Sequence, residues 1–299
     1  GTLAHGPVAM VTTPETAAAP TSASLSESCL PLITRGAVRT PKSQAQQAPR
    51  RATTARAAGL TAMAAAVIPA ILFPIMLLFV SSGGLHAAEN LPGFPAVSYF
   101  DFALAVTFMQ GAIFATGGAG TDLATDIDSG FLNRLALTPM SGAALVLGQL
   151  GGAIALGVLQ ATCYLAAGLI GGAAIASGVG GVLVLYALVI LMAVGFGAIG
   201  VAAALRTGNG EAVQGLFPIL FVLLFLSTIN LPLDLIPVTW FRWAATVNPV
   251  TYLVNAVRSL IIDGWDWPVL LAGFGIAAAI AILGIALSAI ALRGRLQRT

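Results

Sequence analysis

The sequence predicts an all-α, polytopic membrane protein. The chain has 299 residues, of which 58% are hydrophobic and only 8% are charged. A water-facing domain carries about 25% charged residues, so this chain has too few of them to cover a surface exposed to water. Its apolar residues are gathered into runs that are long enough, as helices, to cross the ~30 Å hydrocarbon core of a bilayer.

Charge and cysteine content exclude several other classes. The net charge is +2, from 13 basic and 11 acidic residues, which are too few and too scattered for a nucleic-acid-binding surface. Cys29 and Cys163 lie far apart, the first in a polar tail and the second inside an apolar run. No disulfide framework and no metal site are therefore predicted.

Residues 1–57 are predicted to be a disordered, basic, cytoplasmic segment. Residues 1–30 are rich in Ala, Thr, Ser and Pro, and they contain too few bulky apolar groups to form a core. No signal-peptide pattern precedes residue 58. Six basic residues and no acid follow between residues 35 and 56, a pattern that is held on the cytoplasmic side and attracts anionic headgroups.

Six membrane spans are predicted in a permease domain over residues 58–295, followed by a cytoplasmic tail at 296–299. If both termini are cytoplasmic, the outer segments contain only two of the 13 basic residues, Arg242 and Arg258. This asymmetry is the usual signature of orientation in the membrane. The predicted spans are residues 58–80, 99–117, 143–170, 182–205, 213–229 and 268–292.

The cytoplasmic segment 121–142 is predicted to form an amphipathic helix, or two helices interrupted at Ser129 and Gly130. Leu123, Ile127, Phe131 and Leu135 recur four residues apart, which places them on one helix face. A solvated loop with a helical stub is the alternative. The helix is expected to end before Pro139.

The outer segment 230–267 is too polar and too often interrupted by proline to form a span. It is rich in aromatic residues, which favour the membrane interface. A short helix over 250–262 is expected to lie at the outer leaflet or to enter it. Arg258 is expected to reach the interface or to pair with Asp263 or Asp234.

Two motifs follow one another along the chain. The inner segment contains Asp126, Asp128, Gly130, Leu132, Arg134, Leu135, Thr138 and Pro139, and the outer segment contains Pro237, Trp240, Asn248, Pro249, Tyr252 and Arg258. In this order on six spans, these motifs resemble the membrane permease of type-2 ATP-binding-cassette exporters. The resemblance implies a half-transporter that pairs with a second permease copy or paralogue and with cytoplasmic ATPase subunits. It implies that the inner segment couples to the ATPase through Leu123, Asp126, Ile127, Asp128, Gly130, Phe131, Arg134, Leu135 and Pro139. It also implies a re-entrant pair of helices near the exit, carrying Pro237, Trp240, Asn248, Pro249, Tyr252 and Arg258.

The chain is not predicted to be an enzyme. Its only lysine, Lys42, has no Gly-rich phosphate-binding loop before it, and its two histidines, His5 and His86, lie outside the spans. ATP and Mg²⁺ are therefore expected on a partner ATPase, with no cofactor in this chain. A self-contained secondary transporter or channel is the alternative, although the predicted membrane cores contain no ionisable residue.

The spans contain small and neutral polar residues that suggest packing and a cargo path. The glycines around 148–152 and 195–200 allow close helix approach, either within the chain or between subunits. Glutamines and phenylalanines along the spans suit an amphipathic cargo such as a drug, an antibiotic or a lipid-like metabolite. Arg outnumbers Lys, which indicates a GC-rich bacterial genome and hence the bacterial inner membrane. The candidate path residues are Gln110, Phe114, Gln149, Gln160, Phe217 and Phe221.

Overall fold

Long helices dominate the computed structural model, which describes residues 65, 67–95, 98–130 and 142–296. These residues belong to one unit, and the predicted N-terminal segment 1–57 lies outside them. Short 3-10 helices cover His86–Asn90 and Leu233–Leu235, and a π-helical turn covers Ser259–Asp263. The α-helices are α1 (Val67–Gly84), α2 (Tyr99–Asp128), α3 (Gly142–Ile170), α4 (Gly178–Thr207), α5 (Gly210–Gln214), α6 (Leu216–Phe225), α7 (Thr239–Val247), α8 (Pro249–Arg258) and α9 (Trp267–Leu296).

Among the described residues, five helices are long and apolar enough to cross a membrane: α1, α2, α3, α4 and α9. The predicted all-α, polytopic fold is therefore confirmed. The predicted fifth span, 213–229, is not one helix. It contains α6 and the end of α5, two short helices that meet at Gly215.

The segment 210–230 nevertheless follows most of α2, from Tyr99 to Gly120. At one end Val213 packs so closely against Gly120 that a Cβ on this glycine would clash with it. At the other end the hydroxyl of Tyr99 donates a 3.3 Å hydrogen bond to the carbonyl of Asn230. Because Tyr99 begins α2 and Gly120 lies near its end, the broken helix runs from one end of the bundle to the other.

Helix α2 is the centre of the bundle, and glycines let its neighbours approach. A Cβ on Gly120 would come within 2.8 Å of the carbonyl oxygen of Gly200 in α4. Gly195 and Gly197 of the same helix approach α9 and α3 in the same way. The glycine patch of α4 therefore packs within the chain. Gly148, Gly151 and Gly152 of α3 have no neighbour within 4 Å of where a Cβ would lie.

The end of α2 corrects one prediction. The second span was predicted to stop at 117 and to be followed by a separate amphipathic helix, but α2 continues without a break to Asp128. It ends at Ser129, and Gly130 then adopts a φ of +69°, a conformation that glycine accepts without strain. Residues 131–141 lie outside the described residues.

The bundle has two chemically different ends. The basic end is where α2, α4 and α9 finish, and it holds Arg206, Arg293 and Arg295. The aromatic end is where α2 and α9 begin and where α7 and α8 lie. All four tryptophans of the chain belong to it: Trp240, Trp243, Trp265 and Trp267. This division matches the charge asymmetry and the aromatic belt of membrane proteins.

Candidate functional site

Among the described residues, a groove of about 1010 Å³ lies in the half of the bundle nearer the basic end. It lies between α1, α2, α3 and the α5–α6 segment. Small side chains leave the space open, because Gly117, Gly118 and Ala119 of α2 face Gly152 and Ala153 of α3. We call this cavity the groove.

The groove is mostly apolar, with polar groups at the edge nearer the basic end. Thr121, Asp122, Gln149 and Gln214 supply these groups. The amide nitrogen of Gln149 donates a 3.2 Å hydrogen bond to the carboxylate of Asp126, just outside the groove. A mostly apolar cavity of this size with a few polar groups is typical of a small-molecule site.

The structure divides the predicted path residues into two groups. Phe114, Gln149 and Phe217 line the groove, and Phe221 stacks on Phe217 with ring centroids 5.9 Å apart. Gln110 lies elsewhere, on a pocket of about 60 Å³ toward the aromatic end. Its buried Oε1 atom has no hydrogen-bond partner among the described residues.

Gln160, another of the predicted path residues, has an amide that holds two helices together. Pro74 has no N–H, so the carbonyl of Ala70 in α1 loses its helical hydrogen bond. Gln160 donates a 3.1 Å hydrogen bond to this carbonyl, and the hydroxyl of Tyr164 donates a second one at 2.8 Å. Polar side chains of α3 thus satisfy a backbone group that has no access to water.

The predicted coupling residues occupy different environments in the structure. Leu123 is fully buried in the permease's own core, so it is not available to dock on another subunit, and the prediction for it is wrong. Ile127 is half-buried beside the same core, whereas Asp128 is exposed at the end of α2. Asp126 is tied to α3 through Gln149, and Gly130 ends the helix. Phe131, Arg134, Leu135 and Pro139 lie outside the described residues.

The predicted pair of short helices near the aromatic end is present as α7 and α8. Asn248 separates them: its Oδ1 accepts a 3.0 Å hydrogen bond from the amide of Val250, and Pro249 occupies the first turn, where its missing N–H costs nothing. Tyr252 donates from its hydroxyl back to the carbonyl of Thr246 at 2.9 Å. The predicted residues Pro237 and Trp240 are both exposed.

Arg258 at the end of α8 is buried, with 6% of its surface exposed. Its guanidinium donates to Asn255 Oδ1 at 3.1 Å and to the carbonyl of Thr228 at 3.0 Å. It also lies 3.5 Å from the ring centroid of Phe102 in α2. Among the described residues no carboxylate forms an ion pair with it, so the predicted pairing with Asp263 or Asp234 is wrong. The planar fork of the guanidinium reaches two oxygens and an aromatic face instead.

This cluster was not visible in the sequence. Phe102, Thr228, Asn255 and Arg258 are distributed over 157 residues of chain, as their numbers show. Together they join α8, α2 and the segment that follows α6. The only signal in the sequence was an arginine on the apolar side of a short helix, a costly placement that demands a partner.

A second contact that sequence reasoning missed closes the loop between α1 and α2. The carboxylate of Glu89 accepts a 2.6 Å hydrogen bond from the amide of Tyr99 and lies 2.9 Å from Nδ1 of His86. The hydrogen bond from that amide is the main reason why the pKa of Glu89 is below its usual value. A carboxylate at a helix N-terminus also interacts favourably with the helix dipole.

A known protein family matches the part of the chain that contains most of these elements. The family model described as ABC-2 type transporter matches residues 50–262, which includes α1 to α8. A search of curated proteins finds no match. Members of this family are transmembrane components rather than catalytic ones, and they work with an ATP-binding subunit, generally in a dimeric arrangement. With spanning helices and a family match over more than two thirds of its length, the chain belongs to the ABC-2 type transporter family and is a multi-pass permease subunit.

Proposed function

We propose that this permease exports an amphipathic molecule, such as a drug, an antibiotic or a lipid-like metabolite. The observation that carries the proposal is the groove, which combines about 1010 Å³ of mostly apolar space with Gln149, Gln214 and Asp122 at one edge. An apolar body would lie among the phenylalanines and small residues, and a polar head would lie at the edge. Mg²⁺ and ATP would act on the partner ATPase and not in this chain.

We propose export as the direction of transport, and the two ends of the bundle support it. We take the basic end as cytoplasmic, because basic residues accumulate on the cytoplasmic side of bacterial membrane proteins. The groove then lies in the cytoplasmic half, where cargo enters from the inner leaflet or the cytoplasm. Both termini are cytoplasmic in this orientation, and the membrane is the bacterial inner membrane.

Coupling to the ATPase is assigned to the end of α2 and the residues that follow it. Asp128 is exposed there, and Asp126 is connected to the groove edge by its hydrogen bond to Gln149. A displacement of this end by the ATPase would therefore reach a residue that lines the groove. Phe131 and Leu135, which continue the predicted apolar face, are the anchors we propose for the ATPase surface.

A second permease copy fits the face of α3 that is open in this chain. Gly148 and Gly151 find no neighbour here, unlike Gly195, Gly197 and Gly200 of α4. Small residues at such spacing let a helix from another subunit approach closely. The alternative of a self-contained carrier or pore has no comparable support, since the family works with an ATP-binding subunit.

The proposal is tested by filling the groove. Gly118 lines it and has space for a larger side chain, with the nearest atom 3.8 Å from where its Cβ would lie. Gly118→Phe should abolish ATP-dependent movement of a fluorescent amphiphile into inside-out vesicles that contain the permease and its ATPase. Gly275→Phe is the matched control, because Gly275 is exposed on α9 with no neighbour within 4 Å. Equal transport by the two variants would contradict the assignment of the groove.

A further inference from the structure

Four phenylalanines from three helices form a closed ring of contacts at the end of the groove that points toward the aromatic end. Phe73 of α1 contacts Phe114 of α2, with centroids 6.1 Å apart, and Phe221 of α6, at 6.3 Å. Phe217 completes the circuit, 5.2 Å from Phe114 and 5.9 Å from Phe221. Edge-to-face and stacked pairs of this kind stabilise one another beyond simple burial. We call these four residues the phenylalanine cluster.

The cluster lies between two cavities that differ in chemistry. On the side of the cluster that faces the basic end, Phe114 and Phe217 line the groove. On the other side Phe221 contacts Phe225, with centroids 6.4 Å apart, and Phe225 lines the pocket of about 60 Å³. Because Phe217, Phe221 and Phe225 are four residues apart, they form one aromatic stripe along α6 that leads from the groove to the pocket.

The pocket beyond the cluster is more polar than the groove. Ser81, Thr107, Gln110 and Asn230 lie on its wall. Gln110 is 98% buried, since only 2% of its surface is exposed, and its Oε1 atom has no partner among the described residues. A polar cavity of this volume has room for water, and an unsatisfied buried acceptor needs a donor. We call this cavity the outlet pocket.

We propose that the phenylalanine cluster is a gate between the groove and the outlet pocket, and that Gln110 donates to or accepts from the polar head of the cargo once it has passed. This inference rests on the proposed function, because it assigns the route that cargo takes from the same groove. The closed cluster keeps water and ions from passing along the seam between α1, α2 and α6. Apolar rings part for an amphiphile more readily than for a hydrated ion, since only the amphiphile replaces the ring contacts that are lost.

Helix α1 is weakened next to the gate. Pro74 follows Phe73 directly, and it removes the hydrogen bond to the carbonyl of Ala70. Gln160 and Tyr164 fix that carbonyl to α3. Ala70 is therefore held to α3, whereas Phe73 lies in the turn between this carbonyl and Pro74, where one helical hydrogen bond is missing. A bend of α1 in this turn would move Phe73 away from Phe114 and Phe221 together.

The gate is tested by the accessibility of a cysteine in the outlet pocket, which requires neither cargo nor ATP. Ser81→Cys reports on the outlet pocket and Thr121→Cys on the groove, each in a permease with Cys29→Ser and Cys163→Ala, assembled with its ATPase. A charged, membrane-impermeant methanethiosulfonate is added to inside-out vesicles. We expect the cysteine at position 121 to react and the cysteine at position 81 to be protected. With Phe221→Ala, labelling at position 81 should become at least about tenfold faster, which corresponds to roughly 1.4 kcal/mol.

Two further variants make this result specific. Phe79→Ala is the matched control, because it removes the contact of Phe79 with Phe100, 5.6 Å apart, which also joins α1 to α2 but lies outside the cluster. It should leave position 81 protected. Phe221→Leu keeps an apolar side chain of moderate size and should give a smaller increase than Phe221→Ala.

The possible results separate the gate from the proposed function. Equal labelling of position 81 with and without Phe221→Ala, in variants that retain a single symmetric peak on size exclusion, would overturn the gate even if export is observed. The expected labelling pattern together with no ATP-dependent movement of amphiphile would overturn export and leave the gate standing. If Phe79→Ala and Phe221→Ala expose position 81 equally, the effect is general loosening of α1, and the gate assignment is wrong.

Discussion

The guanidinium of Arg258 lies 3.5 Å from the ring centroid of Phe102, and this contact joins a short helix at the aromatic end to the central helix of the bundle. The same guanidinium donates to the carbonyl of Thr228, in the segment that follows α6. Helix α2, helix α8 and the segment that follows α6 therefore meet at one buried cation. Its charge is held by a ring, an amide and a backbone carbonyl.

Arg258→Lys should destabilise the permease although it keeps the charge. A lysine ammonium is a point donor and cannot replace the planar fork that reaches Asn255 and Thr228 while it covers Phe102. We expect a loss of about 1–3 kcal/mol, the range for leaving a buried polar group without its partner. The measurement is thermal unfolding in detergent, with Arg293→Lys as control, since Arg293 is exposed at the basic end. An unchanged midpoint for Arg258→Lys would show that the cluster adds nothing to stability.

The carbonyl of Ala70 provides a second test through a double-mutant cycle. Gln160→Leu together with Tyr164→Phe should destabilise the protein by about 1–3 kcal/mol, because the carbonyl is left without a donor. Pro74→Ala restores a backbone N–H at the position that serves this carbonyl in an uninterrupted helix. We therefore expect the double variant to cost much less in the Pro74→Ala background, as measured by unfolding in detergent. Equal losses in both backgrounds would mean that proline is not the reason for these two hydrogen bonds.

Because Glu89 holds the loop between α1 and α2 through its carboxylate, we expect this loop to be sensitive to acid. Its pKa is lowered in the folded protein, first by the hydrogen bond from the Tyr99 amide, with smaller contributions from His86 and Ser98. A lowered carboxyl pKa contributes stability that is present above the unfolded value of 4.5 and is lost as the pH falls through the folded value. Asp101 is the other nearby carboxylate.

The measurement is hydrogen exchange at the start of α2 as the pH falls below 4.5. Protection, corrected for the intrinsic pH dependence of exchange, should decrease in the native protein. Glu89→Gln should show weaker protection at neutral pH and no further decrease on acidification, because it cannot titrate. A similar acid-induced loss in Glu89→Gln would assign the effect to another group.

Leu123 and Phe131 should respond differently to truncation, although both belong to the predicted apolar face. Leu123→Ala should lower stability by about 2–5 kcal/mol, because Leu123 is fully buried in the core. Phe131→Ala should leave stability unchanged and weaken co-purification of the ATPase, and Asp128→Asn should have a smaller, salt-dependent effect on it. Retention of full ATPase association and transport by Phe131→Ala would remove the basis of the coupling assignment.

The orientation is tested by cysteine labelling in intact cells. Cysteines at Gly84 and Asp263 should react with an impermeant reagent added outside, because both positions are exposed near the aromatic end. Cysteines at Ser129 and Arg295 should react only after permeabilisation, since the basic end is expected in the cytoplasm. Labelling of position 129 in sealed cells would reverse the orientation and with it the direction of transport.

The hydrophobic pattern was sufficient to predict the long helices that can cross the membrane, but not the break at Gly215 in the predicted fifth span. Long apolar runs at α1, α3, α4 and α9 predict spanning helices without reference to any neighbour, because the bilayer acts on each segment separately. The aromatic segment with Asn248 and Pro249 likewise predicts a helix start from local chemistry alone. These properties depend on residues that are close in sequence.

What depends on distant residues could not be predicted in this way. Apolar periodicity made Leu123 look like a docking anchor, but α2 continues to Asp128 and buries Leu123 against α4 and Val213. The hydrogen bond from Gln160 depends on Pro74, 86 positions earlier, which leaves a backbone carbonyl without its helical donor. Local hydrophobicity and charge were enough to predict the membrane class, the long spanning helices and the different character of the two ends. Which polar groups satisfy each other and which line the groove depends on packing, because burial and hydrogen bonding in a membrane depend on the helix that packs alongside.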